Sequence, residues 1–236
     1  MASVLRRSHL NRALYKWSKP MIKESTFRSY IEKLDVDVDS CVANLRSLSR
    51  GSDIYEYHKS TAYELLMEIT PKNNKDALML VLSPRAESKA QNLAIQANVH
   101  AAIHAARSLY DIFAQLLNKV VLHERFSVGE CMLYKVRPLI TEPTLKEALD
   151  CVVGSESYKY ISAFVNTIKH RDLVYLGANL DLFENKAGLK FESFSYSNET
   201  YPSLWGIDAL EHSLNAKNAV ISLVDIFEQY TLQKFV

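Results

Sequence analysis

Two groups of polar side chains have types and spacing that suit chemistry. In "YISAFVNTIKHRDLV", residues 160–174, an apolar helical run ends in Asn166, Lys169, His170 and Arg171. Asn166 and His170 are four residues apart and therefore share one helix face. A histidine titrates near neutral pH and can move a proton, while neighbouring cations can stabilise a phosphate or its transition state. The four residues are accordingly the candidate catalytic set. On spacing alone the favoured explanation of the basic residues is structural, because the helix dipole favours cations at a helix C-terminus.

The second group is His100, His104, Arg107 and Asp111, spaced four, three and four along one helical stretch. Histidines at i and i+4 can grip a metal ion if a carboxylate completes the set. "HAAIH" lacks the glutamate that follows the first histidine in the H-E-x-x-H motif, so the favoured reading is a polar seam of hydrogen-bonded histidines. No G-x-G-x-x-G, P-loop, G-x-S-x-G or paired C-x-x-C occurs. Neither a cofactor nor a metal is therefore expected.

These groups must be positioned by helices. Six glycines and six prolines in 236 residues are too few breakers for a many-turned β-sandwich. From Phe27 to Leu48 apolar residues recur with a 3.6-residue period, with Ser25 and Thr26 available as caps and Gly51 as a stop. "DIYEYHKSTAYELLMEITP" reads as a helix in which "YELLMEI" is also compatible with a strand. Residues 86–122 form the longest expected helix, whose Ala94, Ala97, Ala101 and Ala105 would let a partner helix approach closely. Pro143 suits a first helical turn ended by Gly154. Ser155 or Ser157 then caps a helix that turns Tyr160, Ile161, Phe164 and Ile168 inward. After Gly177 the period changes to two, predicting a β-hairpin at about 178–197 with its turn at Asn185–Gly188. A final helix spans Ile207–Phe235. The expected fold is mainly α: a helical bundle at 77–236 with that hairpin before its last helix, and an N-terminal helical region at 1–76 packed on it.

Composition narrows the partners. A net charge of +1 gives no global pull toward nucleic acid or a membrane, so such binding must rest on local patches. No apolar run reaches the roughly 18 residues of a membrane span. Cys41, Cys131 and Cys151 are odd in number and widely spaced, which fits a reducing cytoplasm. The first 23 residues carry six cations and no acid, with Leu10, Leu14 and Trp17 on one helical face. A transit peptide and a basic arm for RNA or a partner are two readings, and a short docked helix is the favoured one.

The helical architecture together with "VNTIKH" resembles the HEPN superfamily, compact helical bundles that often dimerise. Many members are metal-independent ribonucleases of toxin, defence or RNA-processing systems. Their motif has an arginine, a polar residue such as Asn, and a histidine four to six places after the arginine. Asn166 matches the polar position and His170 the histidine, while Val165 stands where the arginine would be. The resemblance covers the bundle from about Ala86 onward. It implies an RNA-binding or RNA-cleaving homodimer. If catalytic, a ribose 2'-hydroxyl would attack the adjacent phosphate, with His170 as general acid or base, Asn166 orienting it or holding phosphate, and Lys169 and Arg171 supplying positive charge. Lys169 or Arg171 would then replace the missing guanidinium, and the hairpin would wall one side of a groove beside His170. The valine equally suits a non-catalytic module that binds a protein partner or senses nucleic acid.

Overall fold

Apolar residues at helical spacing organise most of the chain, and the computed structural model describes residues 23–82 and 86–233. The basic N-terminal stretch up to residue 22 lies outside the described residues. The helices are α1 (Glu24–Ile31), α2 (Val38–Ile69), α3 (Asn74–Leu82), α4 (Ala86–Val120), the single turn α5 (Leu133–Val136), α6 (Pro143–Gly154), α7 (Glu156–His170) and α8 (Gly206–Gln233). Five short strands lie between α7 and α8: β1 (Leu176–Asp181), β2 (Lys186–Phe191), β3 (Phe194–Tyr196), β4 (Glu199–Tyr201) and β5 (Leu204–Trp205). The fold is mainly α with a small antiparallel sheet before the last helix. Among the described residues no helix is long and apolar enough to cross a membrane.

Gly51 does not end a helix. The period from Phe27 is broken instead at residues 32–37, where the Asp37 carboxylate accepts the Ser40 N–H and starts α2. α2 then runs through Gly51, and the ambiguous "YELLMEI" is its last stretch. A Cβ at residue 51 would stand 2.8 Å from Leu109 Cδ2, so this glycine serves close helix packing. The alanine stripe of α4 also differs from expectation. Ala94 and Ala97 are exposed, whereas Ile95, Val99, Ala102, Ile103 and Ala106 are buried. Elsewhere the caps act locally. The Glu142 carboxylate accepts the N–H groups of Thr144 and Leu145 ahead of α6, and Ser155 Oγ accepts the Tyr158 N–H at 3.3 Å to start α7.

The chain forms two compact units. One comprises the described part of Met1–Glu56 with Ser108–Val152 and Lys217 onward. Its core includes an edge-to-face pair of Phe113 and Phe227, with ring centroids 5.9 Å apart. It also holds a nearly buried ion pair, Lys217 Nζ to Glu56 Oε1 at 2.8 Å, with the ammonium beside the Tyr55 ring. The other unit comprises Tyr57–Arg107 and Val153–Ala216 and carries the candidate histidines His100, His104 and His170.

In this second unit β1, β2 and β5 form an antiparallel sheet in that order, so β1 is an edge strand. β1 pairs with β2 from Leu176↔Phe191 to Asp181↔Lys186. The hairpin turn therefore falls at residues 182–185, earlier than the expected Asn185–Gly188. Asp181 Oδ1 accepts the N–H groups of Phe183 and Glu184, and Asn185 takes a positive φ of 48°, which closes the turn before Gly188 is reached. Gly188 instead pairs with Asn179 inside the ladder. A second ribbon, β3 with β4, turns through Ser197 and Asn198, whose φ values of 48° and 66° match the right-handed strand twist.

Candidate functional site

The last turns of α7 are built on an apolar stripe at i, i+3 and i+4. Ile161, Phe164 and Val165 are buried on it, and Val165 is only 3% exposed. That placement explains the valine. The residue at this position faces the core, where a guanidinium would lose its hydration without a partner. Asn166 is half-buried, and its Nδ2 donates to Ser162 O at 2.9 Å within the same helix. Lys169 and His170 are exposed in the final turn.

Arg171 follows a different course. Its backbone leaves the helix at φ −135° and ψ −103°, while its N–H still donates to Thr167 O. Its Nη1 donates to Ser195 O at 2.9 Å, and the guanidinium lies 5.4 Å from the centre of the Tyr196 ring. Arg171 is thus held by the β3–β4 ribbon, yet the side chain remains exposed. A guanidinium has five N–H donors, so one hydrogen bond leaves others to meet an anion. The site residues Lys169, His170 and Arg171 accordingly lie consecutively on the surface, with Arg171 fixed in direction and Asn166 bonded back to its own helix.

The segment beyond the helix adds features that the motif does not contain. Asp172 and Leu173 are exposed, and Tyr175 is 60% exposed. The Tyr175 ring occupies the place where a side chain at residue 177 would begin. A Cβ on Gly177 would stand 2.5 Å from Tyr175 Cε1 and 3.2 Å from Cζ. The Glu192 N–H donates to Tyr175 O at 3.0 Å, tying this backbone to the end of β2. An aromatic two residues before a glycine on an edge strand is the sequence signal for this arrangement.

His100 is not part of the expected hydrogen-bonded seam. Its ring lies 5.1 Å from Phe164, edge-on, and is stacked 5.9 Å from Phe191. Its Nε2 is buried with no hydrogen-bond partner among the described residues, and burial pushes its pKa down to about 4. The aromatic cluster continues through Phe194, Tyr160 and Tyr201, and His212 stacks on Tyr160 at 5.0 Å. The Tyr160 hydroxyl is buried with no hydrogen-bond partner among the described residues, and burial raises its pKa. Arg107 lies over the Tyr158 ring at 5.7 Å. Among the described residues no three His, Cys, Asp or Glu side chains are grouped as a metal ion would require.

A second surface was not anticipated. α3 exposes Leu78, Met79, Val81 and Leu82, and the β1–β2 turn exposes Leu182 and Phe183. Between these elements lies a cavity of about 460 Å³, lined by Pro71, Lys72, Ala77, Leu78, Leu180 and Leu182 among others. "NKDALMLVL" has apolar residues on all sides, which is the signal that one face of α3 must stay uncovered or find a partner. Comparison of the chain with known family models, curated proteins and solved structures finds no match.

Proposed function

We propose that this is a HEPN-like protein of the cytoplasm that binds RNA through the exposed end of α7, without cleaving it. The observation that carries the reading is the surface run Lys169, His170 and Arg171, in which Arg171 is oriented by Ser195 O and Tyr196 and keeps further donors for a phosphate. Two features weigh against 2'-hydroxyl transesterification. The motif arginine is replaced by the core residue Val165, and the Asn166 amide donates to its own helix. The homodimer and the place in a bacterial toxin or defence system that the resemblance implies belong to the same proposal. The test is RNA binding by the full chain against a Lys169→Ala/His170→Ala variant, with cleavage followed in EDTA. Weaker binding by the variant and no cleavage by either protein are expected. RNA ends carrying 2',3'-cyclic phosphate, produced by wild type and lost in His170→Ala, would instead make the helix end catalytic.

A second reading, a protein-interaction module, is favoured by the apolar surface of Leu78, Met79, Val81, Leu82, Leu182 and Phe183. Exposed apolar surface of this kind is a common mark of a protein contact. Leu182→Asp/Phe183→Asp should then abolish any self-association or partner capture seen with wild type, leaving RNA binding unchanged.

A further inference from the structure

Resting on the RNA-binding reading above, we propose that Tyr175 is an exposed stacking platform for one unpaired base of a single-stranded RNA whose phosphates meet Lys169 and Arg171. An aromatic ring serves as a platform only if it is open, and the Tyr175 ring is. Its side chain is 60% exposed. Its ring fills the space over Gly177 that any other residue would occupy with a Cβ. Its backbone oxygen is fixed by the Glu192 N–H.

Charge explains why stacking is needed. Around the end of α7, Lys169 and Arg171 are matched by Asp172 on the same segment and by Glu192 at the end of β2, all of them exposed. So balanced a surface neutralises few phosphates, and phosphate contacts alone would bind RNA weakly and with a shallow salt dependence. Stacking adds affinity that salt does not screen and that any base can supply. The chain from His170 to Tyr175 spans at most about 18 Å, the scale of a few nucleotides. The bases of a duplex are stacked on both faces, so the platform selects single strands.

The experiment is fluorescence anisotropy of a labelled single-stranded RNA and of a duplex of the same length, titrated with the full chain. Tyr175→Ala should weaken single-strand binding by about five- to a hundredfold, the loss of one base stack, and leave duplex binding unchanged. Tyr175→Phe should bind as wild type does. Gly177→Ala keeps the aromatic ring but displaces it from its seat, and should weaken single-strand binding severalfold with unchanged circular dichroism. Single-strand binding by Tyr175→Ala equal to wild type would overturn the platform, leaving Tyr175 as a cover for the edge glycine. In that case binding that still depends on Lys169 and His170 would leave the RNA function standing. Absence of binding of either RNA by wild type would overturn both.

Discussion

His100 and His170 belong to the same unit, and each has a partner residue four positions away on its helix. They differ in what surrounds them. His100 is enclosed by Phe164 and Phe191, held neutral by burial, and left with an unpartnered Nε2. His170 stands in the last turn of α7 between two exposed cations. Spacing alone treats the two alike, and the apolar stripe that each helix buries decides between them. A histidine on the stripe becomes part of the core, whereas one beyond its end stays available to a ligand. α7 contains both situations: its middle turns supply Tyr160 and Phe164 to an aromatic cluster, and its last turn supplies the candidate site.

The sharpest way to break this contrast is to remove the ring on which the buried region converges. Phe164 packs against His100, Tyr160, Phe191 and Phe194. Phe164→Ala should cost about 3–5 kcal/mol in urea unfolding. A loss under about 1 kcal/mol would mean that the cluster is loosely packed and that His100 is not truly enclosed.

The next effect is pH dependence. The folded protein holds His100 near 4, and the unfolded chain titrates near 6.5. As pH falls below about 6.5 the unfolded chain takes up a proton that the folded protein refuses until about 4. Stability attributable to the neutral ring is therefore complete above 6.5 and declines down to about 4, by roughly 3 kcal/mol at most. His100→Phe should flatten this segment of the stability profile. An unchanged slope in that variant would place the protonation elsewhere.

A smaller effect belongs to the surface. Arg171→Ala removes the bond to Ser195 O and the contact with Tyr196, and should cost about 0.5–1 kcal/mol because the side chain is exposed. His170→Ala should fall within about 0.5 kcal/mol of wild type. Thermal unfolding of the two variants side by side separates an anchored cation from an unanchored neighbour.

The helical framework was legible because local chemistry sets it. Pro143 and Ser155 act where they stand in the sequence, and Tyr160, Ile161 and Phe164 of α7 are buried as their spacing requires, with Ile168 only half-buried. Where tertiary contact decided, the reading failed. Gly51 resembles a stop signal, but its missing side chain is filled by Leu109 from another helix. Gly188 resembles a turn residue, yet Asp181 and Asn185 close the hairpin before it. Both alanines at the start of the α4 stripe lie at the surface because the neighbouring apolar positions fill the core. At the candidate site, the burial of Val165 follows from its place four residues after Ile161 on the inward face, a position read only as that of the motif arginine. The direction of Arg171 does not follow in this way, since its partner carbonyl lies on a strand 24 residues later. The contact of Tyr175 with Gly177 went unread, although the two residues lie only two positions apart.

The measurement that bears most directly on the central claim is RNA binding in EDTA by wild type and by Lys169→Ala/His170→Ala, with the RNA recovered and its ends analysed. The account predicts binding that weakens in the variant, with the RNA intact in both samples. RNA bound equally by both proteins, or cut by wild type alone, would contradict it.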